Sequence, residues 1–258
     1  MLDPIQLKVE RSTTYYDVRG VTSDEIIEYL EQHSMTDPQG WRLVGSTASS
    51  IHLAWTVLPQ STFCHLQRLT IDLKLVVTLP RHEYVDTLGG GARANWDALV
   101  THIAEHEQRH VDIELDAARK MEREIRAMPA EPYCSGLKSA IDAVSRMNRA
   151  AAARAHRQFH VEDAARRQAA RRPLQALIDS KRGRLAIVDG EIWGVDRMLA
   201  DLARRRAATQ SQAKTVDADR AFALEQEDAF ARRAKLEEEA KDLRATIDRL
   251  AEKFKFTW

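Results

Sequence analysis

The sequence predicts an α+β protein: a small antiparallel sheet packed on long helices, followed by an antiparallel helical hairpin. Three observations carry this expectation. Residues 66–79 alternate apolar and polar side chains with a period of two. Residues 94–128 and 135–172 place apolar side chains at three- and four-residue steps. Beyond Pro173 the helical period tightens into heptads. The 258 residues, 44% hydrophobic and 30% charged, suffice for one large domain or two modest ones and are too apolar for wholesale disorder.

Each element has its own signal. Residues 14–20 (TYYDVRG) are β-branched and aromatic and end in glycine, which suits a strand. Thr22 and Glu25 have the spacing of a capping box, Val21 and Ile26 that of a hydrophobic staple, and Ile26, Ile27 and Leu30 form the apolar face of a first helix. Residues 41–46, 51–58 and 66–79 read as three further strands. In the last, Leu69, Ile71, Leu73 and Leu75 alternate with Thr70, Asp72 and Lys74, as in a strand with one wet face. Pro80 and the Gly89-Gly90-Gly91 run predict a loop. The helix over 94–128 stops before Pro129, and the helix over 135–172 stops at Pro173. Leu174, Ile178, Leu185, Val188, Ile192, Val195, Leu199 and Leu202 then form one heptad seam, and Leu236, Leu243, Ile247, Leu250 and Phe254 another. The polar stretch 209–215 serves as the turn of a coiled-coil hairpin. Asp189-Gly190 is a competing β-hairpin signal inside the first seam. The expected domains are 1–172 and 173–258.

Charge and composition exclude several classes. The 39 Lys and Arg balance the 39 Asp and Glu, so the whole chain has no electrostatic claim on nucleic acid. The arginines at 166–167, 171–172 and 204–206 read as solvated helix faces. No run approaches the roughly eighteen apolar residues of a membrane span. The opening MLDPIQLKVERSTTYYDV has no apolar signal region, so a cytoplasmic location is expected. Cys64 and Cys134 are too few for a disulfide scaffold and not spaced as a metal knuckle. Trp41, Trp55, Phe222 and Phe230 are expected in the core or the helical seam.

The chemistry lies in His106-Glu107-Gln108-Arg109-His110, an HExxH string inside a predicted helix. Residues four apart sit one turn above each other, so both imidazoles can reach one zinc ion, and Glu107 can take a proton from the water that the ion activates. Leu99, Ile103, His106, His110, Ile113 and Ala117 form one stripe, which puts both histidines on the buried seam, where a metal compensates their burial. His102 and Glu114 share that face but lie about 12 Å along the axis from the far histidine, too far to join the same ion. The third ligand must come from another segment. His160, in the cluster His156-Arg157-Gln158-Phe159-His160, is the candidate if the chain turns back near residues 129–134.

These residues resemble the bacterial domain-of-unknown-function family 922, described as predicted zinc-dependent proteases, often secreted. The resemblance spans roughly 12–165. It rests on YYDVRGVTSDEI at 15–26, GWRLVGSTASSIHLAWTV at 40–57, TLPRH at 78–82, Trp96, HEQRHVDI at 106–113, and Cys134 in a YCSGL context. It implies a zincin-like fold, His106 and His110 as zinc ligands, and Glu107 as catalytic base. The chain departs from the family at 159–160, where Phe-His replaces Tyr-Asp and no His-Gly follows. His160 would then supply an imidazole in place of a carboxylate. Against secreted relatives, Cys64 and Cys134 would pair in an oxidising compartment and stay thiols in the cytosol. The expected function is a zinc-dependent peptidase acting on a protein or peptide. The alternative is an interaction module whose coiled coil binds a partner or a second copy, with a structural or degenerate metal site.

Overall fold

The computed structural model describes residues 5–36, 42–60, 62–210 and 216–255. Contacts divide the chain into two compact units, one reaching Arg166 and one spanning Arg167–Thr257. The order of elements is β1 (Ile5–Val18), α1 (Ser23–His33), β2 (Met35–Thr36), β3 (Arg42–Leu43), β4 (Ser46–Pro59), β5 (Cys64–His82), a short 3-10 turn, α2 (Gly90–Arg126), α3 (Cys134–Gln210) and α4 (Val216–Lys255).

The protein is α+β, with a three-stranded sheet in the order β1-β5-β4. The sheet is mixed, which corrects the expected antiparallel arrangement: β5 pairs antiparallel with β4 but parallel with β1, Ile5 facing Leu69 and Val18 facing His82. A short loop joins β4 to β5 and turns the chain directly back. The connection from β1 to β5 contains α1, the small β2–β3 pair and β4, so the chain reverses twice and β5 returns in the direction of β1. Alternation along β5 holds. Leu69, Ile71, Leu73, Leu75 and Val77 are buried, and α2 covers them with Val111, Ala118, Met121 and Ile125. β5 continues through Pro80, which pairs with Tyr16, so the expected break falls later. Pairing with β4 stops at Thr78, and a strand flanked on one side tolerates a residue without an N–H.

The capping box forms as expected: Thr22 Oγ1 accepts from Glu25 N–H, and Glu25 reaches back to Thr22 N–H. Val21 stays exposed and closes no staple. At the other end of the sheet, Cys64 of β5 is disulfide-bonded to Cys134, the first residue of α3, across a separation of 70 residues. The chain turns back between α2 and α3, and the paired residues record the direction. Glu124 meets Asn148, Glu114 meets His156, and His106 meets Asp163. The helices are therefore antiparallel here, joined by Ile113, Ala117, Ala152 and Phe159.

Contrary to the expected stop, α3 runs through Pro173. A proline removes one helical hydrogen bond, to the carbonyl four residues back. Pro173 and Ala169 are both exposed, so water can satisfy that carbonyl, and the flanking alanine-, arginine- and leucine-rich sequence favours helix on both sides. Asp189-Gly190 is helical too, and Gly183, Gly190 and Gly194 face open space.

Within the second unit, Val188 and Val195 of α3 pack with Ala229, Leu236, Ala240 and Leu243 of α4. Asp189, Asp196 and Arg205 of α3 pair with Arg244, Arg233 and Glu225 of α4, an antiparallel order, and Arg184 pairs with Glu239. Phe230, expected in the seam, is 52% exposed because the smaller Ala229 occupies the seam beside it. Trp41, the side chain of Phe254 and most of the 209–215 turn lie outside what is described.

Candidate metal site

The histidine motif sits midway along α2, and the stripe that contains it is the face α2 turns toward the protein: Leu99, Ile103, Ile113 and Ala117 are buried on either side of His106 and His110. α3 brings a second row of side chains at helical spacing, His156, Phe159, His160 and Asp163, onto the same place. Phe159 is buried against both motif histidines, with ring centroids 4.8 Å from His106 and 5.1 Å from His110.

The ring nitrogens are arranged by their partners. His106 Nδ1 lies 3.2 Å from Asp163 Oδ2, and Asp163, only 4% exposed, is also held by Arg166 Nη2 at 3.2 Å. His110 Nδ1 lies 2.8 Å from His156 Nδ1, and His156 Nε2 lies 2.8 Å from Glu114 Oε1. Both Nδ1 atoms are thereby engaged, and the two Nε2 atoms face each other at 3.3 Å. His160 closes the group. His106, His110 and His160 each offer a nitrogen within 4.8 Å of the others, close enough to hold a metal ion, and no other such group of side chains exists among the described residues. His102 lines a groove of about 710 Å³ beside His106 and does not enter the cluster. Glu114 stands behind it, reaching His110 only through His156.

The Nε2 atoms of His106 and His110 have the spacing of two ligands on one small ion. Bonds of about 2.0–2.1 Å at tetrahedral angles place two ligand nitrogens roughly 3.3–3.4 Å apart, the separation observed for the Nε2 pair. His110 is kept neutral. Burial, and then the neighbouring His106, His156 and His160, lower its pKa from 6.5 to about 3, so its nitrogen is free of a competing proton over most of the pH range.

Glu107 faces the sheet. It is 4% exposed, and Oε2 accepts a 2.7 Å hydrogen bond from Thr47 Oγ1 of β4. Burial raises its pKa above the ordinary carboxylate value, and the Thr47 bond partly offsets that rise. Gly45 lies against the same side chain. A Cβ there would stand 2.5 Å from Ile103 Cγ2 and 2.9 Å from Glu107 Oε1, so the approach of β4 to α2 requires glycine. Tyr16 Oη holds the preceding residue by donating to Val44 O at 2.8 Å, and burial raises the Tyr16 pKa.

A family model described as a bacterial protein of unknown function (DUF922) matches residues 13–167, well over half of the chain. The chain belongs to the DUF922 family. Neither the curated proteins nor the solved structures give a match. The DUF922 region contains every residue of the site. Its GSTASS segment, residues 45–50, supplies contacts to two of the carboxylates of α2: Gly45 and Thr47 touch Glu107, and Ser49 donates to Glu114. Sequence reasoning missed the roles of Gly45, Thr47 and Ser49, because nothing in the string shows that β4 crosses beneath α2. It also missed Asp163. The spacing of His156, Phe159, His160 and Asp163 puts all four on one helical face and was the available signal.

Proposed function

We propose that this chain is a zinc-dependent peptidase, with His106, His110 and His160 as the zinc ligands and Glu107 as general base. The observation that carries the reading is the pair of inward Nε2 atoms at 3.3 Å, each with its Nδ1 engaged elsewhere and a buried carboxylate on the adjoining residue. Three protein ligands leave a fourth position open, as catalytic zinc sites do and closed structural sites do not. This favours an enzyme over a chain whose metal serves only to hold a docking module together.

Zinc bound there would polarise a carbonyl and lower the pKa of a coordinated water. The protein's own part begins with Glu107. Its raised pKa suits it to take a proton from the attacking water and pass it to the departing amine. Thr47 fixes one carboxylate oxygen, and Gly45 lets the strand come close enough for that bond. Asp163 orients His106. β4 is an outer strand of the sheet, and a groove of about 390 Å³ runs beside it, lined by Ser49, Ser50, Glu114, Arg149 and His156. An extended peptide laid along Ser46–Ser50 would be ordered by main-chain hydrogen bonds next to Glu107. The Cys64–Cys134 bond supports work in an oxidising compartment over the cytoplasmic location expected from the N-terminus. No helix among the described residues is long and apolar enough to cross a membrane.

The test is elemental analysis joined to peptide-library digestion. About one zinc per chain is expected, lost in His160→Ala, and Glu107→Gln should keep zinc and fold but cleave nothing. A chain purified without zinc that binds none on titration, or undiminished cleavage by Glu107→Gln, would refute the reading.

A further inference from the structure

We propose that His156, anchored by Glu114, is a positioning residue that aims His110 at the metal and sets its tautomer; the inference rests on the metal reading above. Three groups stand in line: His110 Nδ1 to His156 Nδ1 at 2.8 Å, and His156 Nε2 to Glu114 Oε1 at 2.8 Å. Two imidazole nitrogens at that distance share one hydrogen, and the rest of the chain assigns it. A His110 that gives its Nε2 lone pair to an ion carries its hydrogen on Nδ1, so His156 Nδ1 accepts. Neutral His156 then carries its own hydrogen on Nε2, opposite a group that only accepts. Glu114 is that group. The bond from His156 holds its carboxyl below the ordinary carboxylate range, and Ser49 adds a second donor. Every donor along the line therefore meets an acceptor once His110 binds through Nε2.

The two motif histidines are thus supported differently. His106 meets its carboxylate, Asp163, directly, whereas His110 reaches Glu114 through an intervening ring. The geometry explains why. Glu114 lies one turn beyond His110 on the same helix, but its carboxylate is taken up by His156 Nε2, while His156 Nδ1 occupies the Nδ1 edge of His110. The side chain from α3 bridges that gap and ties the two helices at the level of the site. His156 lies outside the trio whose nitrogens converge, so its contribution is orientation and not coordination.

The substitutions separate hydrogen bonding from packing. His156→Phe keeps a ring and loses both nitrogens. His156→Gln keeps an acceptor for His110 and a donor for Glu114. On the full-length chain, zinc affinity by chelator competition should fall about 10–100-fold in His156→Phe, with a changed d–d absorption band in the cobalt-loaded form. His156→Gln should stay within a few-fold of wild type and keep the band. Should His156→Phe fail to fold by circular dichroism, Glu114→Ala replaces it, with a loss in the same direction expected. Wild-type affinity and spectrum in His156→Phe, or an equal loss in His156→Gln, would overturn the inference while leaving the metal site standing. A wild-type chain that binds neither zinc nor cobalt would overturn both.

Discussion

Gly45→Ala adds one methyl group at the place where β4 comes closest to α2. The new Cβ would stand 2.5 Å from Ile103 Cγ2, 2.9 Å from Glu107 Oε1 and 3.2 Å from Glu107 Cγ. Carbon atoms rest about 3.5–4.0 Å apart, so the Ile103 contact alone demands a shift of roughly 1 Å. Ile103 is buried and cannot swing into solvent. Overpacking of this kind costs about 1–3 kcal/mol. Displacing the Glu107 carboxylate also strains its 2.7 Å bond with Thr47, a hydrogen bond to a buried charged group that contributes about 1.5–3 kcal/mol when made. With that bond half lost, the sum is about 2–4 kcal/mol. The chain has two compact units, so global unfolding need not be two-state, and the effect is best read locally. Hydrogen exchange at the amides of β4 and the middle of α2 should accelerate by about 30-fold or more, with amides of the second unit unchanged. A cycle with Ile103→Ala sharpens the test. Alone, that truncation should destabilise by about 2–5 kcal/mol; combined with Gly45→Ala, the two should cost less than their sum by about 0.5–3 kcal/mol, because the deleted side chain vacates the space the methyl needs. Wild-type exchange in Gly45→Ala, or strict additivity in the cycle, would refute the close approach of β4 to Glu107.

Other perturbations give independent checks. Thr47→Val removes the donor that lowers the Glu107 pKa, so the acid limb of the pH–rate profile for peptide cleavage should move to higher pH; an unmoved limb would deny the bond a role. The metal-free chain should lose thermal stability as pH falls from 6.5 toward 3. The unfolded chain takes up a proton at His110 that the fold refuses, so this stabilisation is present above the ordinary histidine value and drains away below it. His110→Gln should flatten that slope in calorimetry. Cys134→Ser opens a 70-residue loop and should cost the first unit about 2–4 kcal/mol, measured by urea unfolding of the oxidised wild type against the variant.

What the linear string determined was local. The capping box of α1, the alternation of β5, the helical stripe carrying His106 and His110, and the heptad seam of α3 all depend on residues within a turn or two of each other, and each forms. Spacing also pointed to His160, because a helix that turns back past residues 129–134 brings its next histidine cluster to the motif. Tertiary structure decided the rest. The parallel partnership of β1 and β5 depends on where a long connection returns the chain, and no residue pattern within either strand encodes direction. Whether α3 stops at Pro173 turned on whether the orphaned carbonyl faced water or a core, which is a property of the folded surface. The site differs from its motif for the same reason. HExxH specifies two imidazoles and a carboxylate one turn of helix apart. The partners of their Nδ1 atoms and the surroundings of Glu107 come from Asp163, His156, Gly45 and Thr47, which lie between 46 and 62 residues away in sequence and touch the motif only because α3 and β4 pack against α2.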